Sequence, residues 1–108
     1  MRSLDDPVIF PIEVRTSAAD DIPLSTGSGR DNGWIAVHRY RGTPYEEYFH
    51  GVEAIMCDDG RPHPGKPHFR DADSLGPTCP EWDAAMAVRS RLDPDGGFRN
   101  PCTDRIFT

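Results

Sequence analysis

The sequence contains no apolar run near the ~18 residues that a membrane-spanning helix requires, which excludes such a helix. Its opening, MRSLDDPV, has no apolar h-region, so a secretory signal is not expected. No basic stripe is interleaved with aromatics and the net charge is -6, so the electrostatic footprint of a nucleic-acid binder is missing. Cysteine is scarce. Cys57, Cys79 and Cys102 are odd in number and lie 22 and 23 residues apart, which fits neither a disulfide framework nor a CxxC zinc pair. They are expected to be reduced, buried or semi-buried thiols of a cytoplasmic protein. Apolar residues make up only 36% of the 108 positions, so the core is thin. Lysine is almost absent, with eleven Arg against the single Lys66. The arginine excess reads as genomic compositional bias. Lys66 stands out, because a guanidinium does not always replace an ammonium.

What the chain has in quantity is punctuation. Eleven Pro and ten Gly exceed by half again the roughly 12% of average proteins. At 12.0 kDa it is one domain at most, or a piece of one. Residues 8–16, VIFPIEVRT, alternate as a strand, with Pro11 indicating an edge or a bulge. On it Phe10, Ile12 and Val14 are expected to supply the core. Residues 17–33 form a polar Gly/Ser connection, with one helical turn expected near Ala18–Asp21. Residues 34–40, WIAVHRY, make a second strand. A helix follows RGTP, with Thr43 as N-cap, an amphipathic stripe from Tyr45 to Met56, and Gly60 beyond its end. The prolines between 61 and 80 preclude a long helix there. A second helix is expected from about Glu81 to Leu92, then a DPDGG turn and a tail of little regular pattern. The fold class is therefore α+β, a small antiparallel sheet flanked by two helices. Two strands alone are not stable, so further strands are expected outside this sequence.

Three local patterns fail as sites. Gly60 to Lys66 satisfies GxxxxGK, but Pro67 stands where Ser or Thr should bind magnesium, and Pro62 and Pro64 remove amides that would cradle phosphate. Gly27, Gly29 and Gly33 are one residue too widely spaced for a dinucleotide fingerprint, and read as a flexible loop. His63 and His68 match no standard zinc spacing. Two features are more informative. Glu13 and Arg15 are two apart on a strand, so a carboxylate and a guanidinium share one face, either as a solvated ion pair or as a polar floor for a hydroxylated ligand. In HPGK, Gly65 permits a sharp turn and flanking prolines stiffen the support under Lys66.

Seven ordered motifs together resemble the C-terminal domain of the aldonolactone oxidase family, the flavin enzymes that include D-arabinono-1,4-lactone oxidase and L-gulono-1,4-lactone oxidase or dehydrogenase. They are FPIEVR (10–15), ADDIPLS (19–25), GRD (29–31), IAVHRYRG (35–42), YEEYFHGVEAIM (45–56), GRPHPGK (60–66) and LDPDGGFRNP (92–101). The resemblance covers nearly the whole chain. It implies a cap that closes over an FAD-binding domain, with substrate between them and a hydride passing from a carbinol carbon to flavin N5. Arg15 and Lys66 would polarise the reacting C–OH, and Glu13 would orient Arg15 and accept from a substrate hydroxyl. His38 and His63 would line the substrate, while Lys66, Gly65 and Asn100 would face the cofactor. The FAD is expected to be held by a domain absent from this sequence, a missing N-terminal part or a separate chain, with an aldonolactone or a sugar alcohol as small-molecule partner. The protein is expected to be cytoplasmic, with peripheral membrane association compatible. One departure is local: Pro64 stands where the family usually carries Trp. Alternatives are a non-catalytic sugar- or lactone-binding module, a degenerate truncated product, and an alditol substrate.

Overall fold

The computed structural model describes residues 10–108. Two strands, β1 (Glu13–Ser17) and β2 (Asn32–Ala36), pair antiparallel with Glu13 opposite Ala36, Arg15 opposite Trp34 and Ser17 opposite Asn32. Four helices follow: α1 (Glu46–Met56), α2 (Ala72–Leu75), α3 (Trp82–Leu92) and α4 (Pro101–Phe107), with a 3-10 turn at Gly76–Thr78 after α2. The architecture is α+β, a small two-stranded sheet with helices beside it.

The strands are shorter than their alternating patterns. Val8 and Ile9, the start of the first pattern, lie outside the described residues. Phe10–Ile12 precede the ladder, because Pro11 has no amide to donate to it. Residues 37–40, beyond the pairing of Ala36 with Glu13, lie outside the ladder as well. Phe10 instead packs against the rings of His38 and Tyr40, at 5.7 and 4.9 Å. The expected core face is not covered: Phe10, Ile12, Val14 and Ile35 are 38, 52, 68 and 50% exposed. Alternation correctly puts Val14 on the side opposite Glu13 and Arg15, where it pairs with Ile35, and both are left exposed.

Helix α1 starts later than expected. Thr43 does not cap it; its hydroxyl donates to the Tyr40 carbonyl at 2.7 Å and closes the preceding turn. On the apolar stripe of α1 only Tyr48 is buried, under the Arg39 guanidinium 4.3 Å from its ring centroid. Ile55 is left largely exposed. Helix α3 has the expected bounds. The tail, expected to be irregular, forms α4. Asn100 caps it by accepting from the amides of Cys102 and Thr103, and Thr103 completes a capping box. Pro101 occupies the first helical position. Trp82 of α3 meets Phe107 of α4 at 6.0 Å. DPDGG turns on Asp93, whose carboxylate accepts from the amides of Gly97 and Phe98.

The connection between the strands contains no helical turn at 18–21. It is an ordered loop built on Asp20. The Asp20 carboxylate accepts from the Ile22 amide (3.0 Å) and the Ser25 hydroxyl (2.6 Å), and its backbone pairs with Gly27 and Gly29. Gly27 is required by this packing, since a Cβ there would lie 2.8 Å from Asp20 Oδ2.

With Tyr48 and Leu75 as the buried apolar residues, arginines bind the loops together. Arg61 donates from Nε to Thr78 O (2.6 Å) and from Nη1 to the carbonyls of Ser28 (2.8 Å), Thr26 and Ser25. Arg70, itself buried, donates to the carbonyls of Cys57 and Gly60 beyond α1 and of Ser74 in α2. Arg30 pairs with the Asp59 carboxylate and donates to the Asp59 carbonyl. Three of the arginines thus hold the loops together, whatever the origin of the excess. No helix among the described residues is long and apolar enough to cross a membrane.

Candidate functional site

The second face of the sheet is polar. On β1 it carries Glu13, Arg15 and Ser17, and on β2 Asn32, Trp34 and Ala36. Arg15 donates from its guanidinium to Glu13 Oε1, through both Nε and Nη2. Their side chains are 74% and 43% exposed, so this pair is open to a ligand and adds little to stability. Across the ladder, Trp34 Nε1 donates to the Ser17 hydroxyl at 2.8 Å, which fixes the indole beside Arg15.

The HPGK turn comes to this same face. The His63 ring lies 6.3 Å from that of Trp34, tilted by 59°. The Lys66 amide donates to the His63 carbonyl at 3.0 Å, and the Gly65 amide donates to His63 Nδ1 at 3.0 Å. These bonds make 63–66 a tight turn that keeps Lys66 close to His63, with both side chains exposed. The turn is held at its root. Arg61 reaches back to the carbonyls of the β1–β2 loop, while Arg30 of that loop grips Asp59. Two guanidinium clasps thus tie the strand connection to the segment that presents His63 and Lys66.

The structure brings Glu13, Arg15, Trp34 and His63 to one side, with Lys66 in the turn beside them. His38 lies beyond the end of β2, against Phe10. Asn100 is engaged in capping α4. Trp34, Arg30 and Arg61 were not among the candidate residues drawn from the sequence. The signal for Trp34 was its place on the strand expected to pair with that of Arg15; that the two stand opposite follows from the register. For Arg61 it was its position in GRPHPGK, beside His63 and Lys66, and for Arg30 its place in the GRD motif.

His68 leads out of this loop. Its Nδ1 is buried with no hydrogen-bond partner. Burial lowers its pKa, and Arg105 and Arg70 lower it further against the opposing Glu53. Asp71, which caps α2, is held below the usual carboxylate range by the Ser74 hydroxyl and amide. Among the described residues no group of three or more His, Cys, Asp or Glu is arranged to hold a metal. The three cysteines are free thiols, Cys57 and Cys79 half-buried and Cys102 exposed.

A flavin would need an enclosing cavity of several hundred Å³. Two shallow concavities among the described residues, of about 260 and 220 Å³, are lined by residues of α2, α3, α4 and the Asp93 turn. Neither includes Glu13, Arg15 or Lys66. The Glu13–Arg15 face is open to solvent.

Comparison with known proteins gives this face a context. L-gulono-1,4-lactone dehydrogenase of Mycobacterium tuberculosis is 54% identical over 102 residues, covering 94% of this chain and 24% of that protein. L-gulonolactone oxidase of Bos taurus is 33% identical over 103 residues, covering 91% of this chain and 23% of the relative. An alditol oxidase of Streptomyces is 35% identical over 98 residues, with 87% and 23% covered. The chain thus spans about a quarter of the length of these relatives. No solved structure matches it. The family profile described as D-arabinono-1,4-lactone oxidase matches residues 1–106, nearly the full sequence, and the chain belongs to that family.

Proposed function

We propose that this chain forms the substrate-side wall of a flavin-linked oxidoreductase that acts on the CH–OH groups of aldono-1,4-lactones. The flavin is held by polypeptide outside these residues. The observation that carries this reading is the open Glu13–Arg15 pair on a sheet face shared with Trp34 and the His63–Lys66 turn. The likeness to lactone-named relatives supports the substrate class.

On this reading the carbinol oxygen of the lactone sits at the Arg15 guanidinium. Glu13 engages that guanidinium through Oε1 and so fixes its plane. Its Oε2 accepts from a neighbouring substrate hydroxyl. Lys66 supplies a second cation on a stiff turn. Both cations favour alkoxide character at the carbinol oxygen, and this fixed positive field is the main contribution of the chain to rate. His63, with Nδ1 accepting from Gly65, presents Nε2 as a hydrogen-bond donor to the ligand.

The test places this chain in the matching segment of the M. tuberculosis relative and measures dye reduction driven by L-gulono-1,4-lactone. The chimera is expected to turn over, and Arg15→Ala and Lys66→Ala are each expected to lower turnover by about a hundredfold or more. A working chimera that ignores both substitutions would overturn the assigned roles. Faster turnover of xylitol than of any lactone would move the substrate class to alditols.

A further inference from the structure

Trp34 has no assigned role, yet it is the largest side chain on the polar face. Its backbone is directly opposite Arg15 in the ladder, which puts the two Cβ atoms about 5 Å apart on one side of the sheet. The indole is held in one orientation by the bond from Nε1 to the Ser17 hydroxyl. That bond satisfies its single polar group, so the remaining surface is hydrocarbon. Trp34 is half-buried, and His63 approaches it at 6.3 Å and a 59° tilt, so the imidazole does not lie flat over the indole.

We infer that Trp34 is the platform on which the ring of the substrate lactone stacks, and that it sets the preference for a closed ring over an open chain. This rests on the lactone reading above. A five-membered lactone presents C–H groups on its ring face and oxygens at its rim. An indole rigidly fixed beside a guanidinium and a carboxylate matches both: the ring face rests on Trp34 while rim oxygens reach Arg15 and Glu13. An open-chain alditol has the hydroxyls but no preformed face, so it gains less from the same platform. Ser17 acts as a positioning residue, through the indole it holds.

The test uses this 108-residue chain with saturation-transfer NMR, which reads millimolar affinities, and with L-gulono-1,4-lactone and xylitol as probes. Trp82→Phe leaves Trp34 as the sole tryptophan, and its emission is expected to change saturably with lactone. Trp34→Ala is expected to weaken lactone binding about tenfold and xylitol binding by less than about threefold, with Trp34→Phe retaining most lactone affinity. Ser17→Ala is expected to weaken lactone binding while leaving the circular-dichroism spectrum unchanged. If Arg15→Ala abolishes lactone binding but Trp34→Ala does not weaken it, the platform is overturned and the lactone site stands. If both probes lose equally with Trp34→Ala, the ring preference is overturned. If the unmodified chain binds no lactone, the platform falls together with the reading it rests on.

Discussion

Arg61 carries the clearest consequence at the scale of single residues. Its guanidinium gathers four carbonyls from two loops distant in sequence. Each is a charge-assisted bond, and truncation would leave part-buried carbonyls to find water. Arg61→Ala is expected to cost about 2–3 kcal/mol, read as a lower urea midpoint with unchanged slope. Arg61→Lys should recover less than half of that, because one ammonium cannot span the fork. This role was not legible beforehand. An arginine count does not say which carbonyls lack partners, since those are created only when the loops fold. Glu13 and Arg15 were legible, because period two in a strand fixes that they share a face whatever the strand packs against. Trp34 was present in the same pattern, but its side of the sheet became meaningful only once the register was known.

Among the elements, the helices divide by how local their determinants are. Helix α3 was readable from its own composition and the proline and glycine around it. Helix α4 was missed because its seven residues show little apolar periodicity; its signal is the cap, Asn100-Pro101 with Thr103 three residues on. Asn100→Ala is therefore expected to cost about 1 kcal/mol and to fray α4. Trp82 emission would report this, since that ring packs on Phe107. Asn100→Asp should keep the cap and the emission. The same logic explains α1. Thr43 and Pro44 have the right chemistry to begin a helix, but Thr43 closes the Tyr40 turn instead, and both signals are satisfied by one tight corner.

For the molecule as a whole, acid sensitivity should centre on His68. Burial and the nearby Arg105 and Arg70 disfavour its protonated form in the fold, and Glu53 only partly opposes them. The unfolded chain takes up that proton more readily, near pH 6.5. Stability is thus full above this value and falls as pH drops through it towards the lowered folded pKa. Thermal midpoints should decline between pH 7.5 and 5.5, and His68→Gln should flatten that decline. The exposure of the aliphatic side of the sheet was not legible for a different reason from α4: alternation fixes which residues share a face, not what lies over it. The guanidinium clasps also have a thermal signature. Hydrogen-bonded cations, rather than packed hydrocarbon, unite these loops, so melting would return little oily surface to water. Calorimetry should then show a heat-capacity increment below the usual ~1.2–1.5 kcal/mol/K per hundred residues. Such a chain would have a broad, shallow stability curve and would tolerate chilling as well as it tolerates moderate warmth.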